Sequence, residues 1–139
     1  MFFDRLMEAD QFSYERFAPL EVYGYAACYS PDPDRPGKAL APFEIDTGRL
    51  IDDVWEQWLA LDPVRMAAGH ADALRSMHRI YLDAGKSDEY YLDLGATAFA
   101  GELDKLGVEH TLELFDGKHG GIAYRYPGAI RELVLALSD

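Results

Sequence analysis

Between Arg79 and His119 the chain reads RIYLDAGKSDEYYLDLGATAFAGELDKLGVEHTLELFDGKH. This is the pattern of a strand, an acidic loop, a helix, a second strand and a histidine-bearing loop, which together make one βαβ unit. A crossover of this kind sets two strands parallel and is right-handed. Both loops leave the carboxyl ends of strands, where open α/β sheets place their chemistry. Asp88 falls in the first loop and His119 in the second. An acid and a base are therefore presented side by side, whereas no nucleophile is evident in either loop.

The remaining elements extend this pattern. Glu21–Ser30, EVYGYAACYS, is a short run rich in aromatic and β-branched residues between Pro19 and Pro31, which predicts a buried strand with Cys28 as a small core residue. Phe2, Phe3, Leu6 and Met7 stand at roughly helical spacing before it. Residues 31–49 hold four of the chain's seven prolines and read as a long loop. Leu50–Leu61 has Leu50, Ile51, Val54, Trp55, Trp58 and Leu59 on one stripe and acids opposite, a helix pattern that stops at Asp62-Pro63. A shorter helical segment is expected through Met66, Ala71 and Leu74.

Arg79–Ala84 is then a strand closed by Gly85, Glu89–Leu106 a helix ending at Gly107, and Glu109–Phe115 a strand. A last helix starts around Pro127 and offers Ile130, Leu133, Val134 and Leu137 as its buried stripe. The expected fold is α/β: a small, about three-stranded parallel sheet flanked by helices, in a single domain over residues 1–139. A first strand with an unpaired apolar edge would favour self-association, so a homo-oligomer joined near Val22–Ser30 is expected.

Composition narrows the function classes. With 25 acidic and 13 basic residues the formal net charge is −12, which repels nucleic acid and anionic membranes. The 49% hydrophobic content suits a folded globule rather than a disordered chain. The single cysteine excludes an internal disulfide and fits a reducing compartment. The first residues, MFFDRLMEADQ, carry acids where a signal peptide has a basic region, and no stretch approaches the ~20 apolar residues of a membrane span. A cytoplasmic location follows as the expectation.

The candidate chemistry rests on Asp88 and His119. At a strand-to-helix turn, Asp88 can cap the following helix or orient a histidine. His119 lies in DGKHGG, exposed by the glycines around it, and an unperturbed imidazole pKa near ~6.5 suits proton transfer at neutral pH. Ser13, Ser30, Ser76, Ser87 and Ser138 all lack the G-x-S-x-G elbow of a nucleophilic serine. Gly85-Lys86-Ser87 has the ending of a phosphate-binding loop, but Ile80 stands where its first glycine is required. His70, His78, His110 and His119 have no metal-ligand spacing, so neither metal nor cofactor is expected.

AACYSPD at 26–32, VWEQWLALDPV at 54–64, IYLDAGKSDEYYLDLGA at 80–96 and ELFDGKHGG at 113–121 resemble the esterase family that includes esterase D-like and enterochelin esterase-like α/β hydrolases. The resemblance spans roughly residues 20–139 and corresponds to the last strands of the α/β-hydrolase fold. It implies a carboxylic-ester hydrolase acting on a small-molecule ester, with Asp88 as the triad acid and His119 as the triad histidine. The family's serine elbow and oxyanion loop have no counterpart in this sequence. Weak or no esterase activity is therefore expected of these 139 residues alone. The alternative is a non-catalytic truncated remnant that serves as an oligomerising or binding module.

Overall fold

The computed structural model describes residues 14–138, and the side chains of residues 21–138. The chain divides after Leu61 into two compact units, Met1–Leu61 and Asp62–Asp139. The short helix expected around Phe2–Met7 lies outside the described residues.

In the first unit, helix α1 spans Tyr14–Tyr29 and helix α2 spans Asp52–Leu59. The strand expected at Glu21–Ser30 is therefore not formed; the segment is the second half of α1, which runs through Pro19. A short apolar run has no decisive period of its own, so packing decides its state. Here Ala26 and Ser30, four residues apart, are buried, and the Tyr29 ring meets Trp58 of α2 edge-on with centroids 5.3 Å apart. Those positions share a side only at helical spacing. Cys28 falls on another side and is exposed, not a core residue. With no strand here, the edge proposed for self-association near Val22–Ser30 is absent.

Ser30 closes α1 with a small polar knot. Its hydroxyl donates to the Leu40 carbonyl at 2.7 Å and accepts the Trp58 indole N–H at 2.8 Å. The long loop at 31–49 is present and carries its own turns. Asp32 accepts the amides of Asp34 and Arg35 and binds the Arg35 guanidinium at 2.6 Å. The Arg35 hydrogen bond, foremost, holds the Asp32 carboxyl below its ordinary range. Further along, Glu44 binds Thr47 and Arg49 across the next turn.

The second unit begins with α3, Pro63–Met66, where Asp62 accepts the Val64 amide at 3.0 Å and Pro63 takes the first turn. A 3₁₀ turn at Ala67–His70 leads into α4, Ala71–Arg75. Strand β1 is Tyr81–Gly85, helix α5 is Leu92–Lys105 and strand β2 is Thr111–Phe115. A 3₁₀ turn at Ala123–Arg125 precedes α6, Tyr126–Ala136. The βαβ unit is thus formed, with β1 and β2 parallel and paired from Tyr81↔Thr111 to Gly85↔Phe115. Among the described residues the sheet has two strands rather than about three, because the segment assigned to the third is helical.

Strand alternation puts Leu82, Ala84, Leu112 and Leu114 on one sheet face and Tyr81, Asp83, Glu113 and Phe115 on the other. Leu82 joins the core of Ile80, Leu103 and Val108, with Leu74, Phe99 and Leu106 around it. Arg75 braces the far end of α5 by donating to the Leu106 carbonyl at 2.8 Å. The α6 stripe predicted to be buried is not: Ile130, Leu133, Val134 and Leu137 are all exposed. Strands lie ≈ 4.8 Å apart, so a two-stranded ribbon is too narrow to cover the whole apolar side of a helix. No described helix is long and apolar enough to cross a membrane.

Candidate active site

Gly85 is the last residue of β1, and the loop after β2 passes directly over it. A Cβ at Gly85 would lie 2.5 Å from the Gly117 carbonyl oxygen and 2.8 Å from that of Lys118. Glycine is required for this close backbone approach. The two loops are also hydrogen-bonded: Lys86 N–H donates to Phe115 O and Ser87 N–H to Gly117 O, each at 2.9 Å. Lys86 and Asp116 add an exposed ion pair at 2.9 Å. The loops are joined by their backbones, and what they carry is brought together.

They carry Asp88 and His119. His119 Nδ1 stands 3.2 Å from Asp88 Oδ2. The Asp88 side chain is only 3% exposed, whereas that of His119 is 49% exposed. A buried carboxylate acceptor selects the Nδ1–H tautomer and leaves the Nε2 lone pair outward. Nε2 has no hydrogen-bond partner among the described residues. The pair is therefore set up to accept a proton at Nε2 and to stabilise the resulting imidazolium through Asp88.

Asp88 does not cap α5, one of the two roles open to it from its position. Its Oδ1 accepts the Tyr90 amide at 2.8 Å, an aspartate turn of the i to i+2 kind, while Oδ2 faces His119. The helix starts later, at Leu92, and its N-cap is Tyr91 with φ 58°, which makes no side-chain cap. A left-handed backbone at a tyrosine costs roughly 1–2 kcal/mol. The turn that aims Asp88 is held at that expense.

Glu89 and Tyr90 complete the surroundings; the sequence pattern places both at the start of the expected helix and assigns neither to the site. Glu89 accepts the His119 backbone N–H at 3.3 Å. Its own amide and then that of His119 hold its carboxyl below the ordinary range. The Tyr90 ring lies edge-on to the imidazole, with centroids 4.9 Å apart. Their adjacency to Asp88 in the DEY triplet, within the phrase IYLDAGKSDEYYLDLGA, is the sequence signal they offer. Beside the pair, Gly85, Leu92, Phe115 and Ile122 help to line a hollow of about 110 Å³. A larger cavity of about 310 Å³, lined by Leu74, Met77 and Val108 among others, includes neither Asp88 nor His119.

No serine among the described residues is hydrogen-bonded to His119. Ser30 is engaged with Leu40 and Trp58, Ser76 with the Ala73 carbonyl and Ser138 with the Val134 carbonyl. Ser87 is exposed next to Asp88, and Ser13 lies outside the described residues. The described residues contain no group of three or more His, Cys, Asp or Glu able to hold a metal ion. The chain matches no protein-family model and no curated protein.

Proposed function

We propose that this chain carries the acid–base pair of a carboxylic-ester hydrolase acting on a small-molecule ester, on what corresponds to the last strands of an α/β-hydrolase sheet. The observation that carries the reading is the buried Asp88 carboxylate on Nδ1 of a half-exposed histidine whose Nε2 has no hydrogen-bond partner among the described residues. In this reading His119 takes a proton from the attacking hydroxyl or water at Nε2 and returns it to the departing alkoxide. Asp88 orients the ring and stabilises its cation. The attacking group is a water, or a serine borne outside the described residues. Without a seated nucleophile a triad loses most of its rate, so hydrolysis by the chain is expected to be weak.

The test is hydrolysis of p-nitrophenyl acetate by the chain and by its His119→Ala variant. A slow rate that falls to background in the variant is expected. Equal rates would remove His119 from the chemistry. A fluorophosphonate label, followed by mass spectrometry, would distinguish an acylated serine from attack by water.

The exposed apolar residues of α6 favour a second reading, in which the chain is a non-catalytic module that assembles with further copies of itself. Light scattering across micromolar concentrations is then expected to show a dimer or larger species, and a clean monomer would sink this reading. Turnover dependent on His119 would count against its non-catalytic half.

A further inference from the structure

The loop that bears His119 is held at its start by the backbone bonds to Lys86 and Ser87, and at its end by one side chain. Arg125 closes the 3₁₀ turn after the loop and reaches back onto the charged face of the sheet. Its Nε donates to Asp83 Oδ2 at 2.7 Å, and a terminal nitrogen meets Glu113 Oε2 at 2.6 Å. The guanidinium carbon sits 4.2 Å from the centre of the Phe115 ring. Tyr81 stands at the same point, its hydroxyl donating to Glu113 and accepting from Arg125. That bond to Glu113, followed by burial, raises the Tyr81 pKa, and it lowers that of Glu113.

The Arg125 side chain is 15% exposed and Asp83 20%, so this is not a solvated surface pair. Two directed carboxylate bonds and a ring contact fix a planar guanidinium in a way that an ammonium cannot reproduce. Asp83 and Phe115, which grip it, are also walls of the hollow beside His119.

We infer that Arg125 is a positioning residue: by clamping the end of the Asp116–Arg125 segment to both strands, it holds His119 against Asp88. Its importance to turnover rests on the hydrolase reading above; the clamp itself does not. Arg125 is 37 residues from Asp88 in sequence (125 − 88) and has no hydrogen bond to either member of the pair, so it acts only through the loop.

Nitrogen-15 NMR of the imidazole rings tests this without requiring activity. His119 in the intact chain should show the Nδ1–H tautomer. His110 serves as an internal reference, because its Nδ1 lies 3.0 Å from the Val108 carbonyl and so carries a proton for a reason unrelated to the clamp. Arg125→Met should move His119 toward the tautomer mixture of a free histidine while leaving His110 unchanged, and Arg125→Lys should restore part of the preference. Retention of the His119 preference in a folded Arg125→Met protein would overturn the inference. So would parallel loss at both histidines, the mark of general loosening. If Arg125→Met does not fold, Glu113→Gln weakens the clamp more gently. A partial loss at His119 alone would then support the inference, and no change would overturn it. Failure of p-nitrophenyl acetate turnover to depend on His119 would dispose of the hydrolase reading and leave the ring measurement standing.

Discussion

Gly85→Ala is expected to destabilise the second unit by roughly 3 kcal/mol and to separate His119 from Asp88. The added methyl would sit 2.5 Å from the Gly117 carbonyl oxygen and 2.7 Å from its carbon. Comfortable carbon contacts begin near ~3.5 Å, so the loop must retreat by about an ångström. It cannot retreat freely. The bonds from Lys86 N–H to Phe115 O and from Ser87 N–H to Gly117 O would stretch with it, and a backbone has no alternative rotamer to offer. Overpacking of this kind costs about 1–3 kcal/mol, and each weakened hydrogen bond adds about 1 kcal/mol.

Urea unfolding should show a lower midpoint with little change in slope. The ring contact between Tyr90 and His119 should be lost in NMR spectra recorded below the transition. Gly95→Ala is the control, because nothing lies within 4 Å of its Cβ position and it stands inside α5. It should raise stability by about 0.5–1 kcal/mol. An unchanged midpoint for Gly85→Ala would mean that the two loops are not in close contact in solution.

Leu103→Ala should cost about 3 kcal/mol, within the ~2–5 kcal/mol range for deleting a buried leucine side chain. Leu103 has no exposure and lies at the centre of the cluster with Ile80 and Val108. Ile80 leads into β1, Leu103 comes from α5 and Val108 leads into β2, so the same residue holds the crossover helix to both strands. Apart from Ile80, Val108 and Phe115, the other buried apolar side chains described in this unit are the alanines Ala67, Ala84 and Ala100, which leaves little to collapse into the gap. The loss should appear in the urea midpoint and as faster amide exchange along β1 and β2 together. A cost below about 1 kcal/mol would place the core elsewhere.

The region around Leu103 is readable because Phe99, Leu103 and Leu106 recur at helical spacing and Gly107 ends the helix where its sequence says it should; its φ is +64°. Asp88 and His119 are readable as a pair because each follows a strand in a parallel unit, and such strands bring their carboxyl ends to one edge. Glycine at 85 is visible as a strand terminator and as the first residue of Gly85-Lys86-Ser87. That it must be glycine, because another loop lies on it, follows from contacts thirty residues away in sequence, such as Lys86 with Asp116.

The readings that differed from the structure share one cause. Val22, Tyr23, Tyr25 and Tyr29 have the composition of a strand, yet the segment is helical, with Tyr29 against Trp58. Ile130, Leu133, Val134 and Leu137 have the spacing of a buried stripe, yet they are exposed. In each case the local pattern states a preference, and a distant neighbour, present in one instance and missing among the described residues in the other, settles the state.

By itself, then, the sequence determined the βαβ order, the chain positions of the acid and the base, and the lack of a recognisable serine elbow. These are matters of period, turn chemistry and residue identity, all local. Only the tertiary structure decided that Asp88 divides its two oxygens between a turn and His119, and that Tyr91 adopts a left-handed backbone to make that turn. It alone also decided that Arg125 ties the histidine loop to Asp83, 42 residues away. Those features depend on directions and distances between segments that meet only when the chain closes on itself, and no local pattern encodes them.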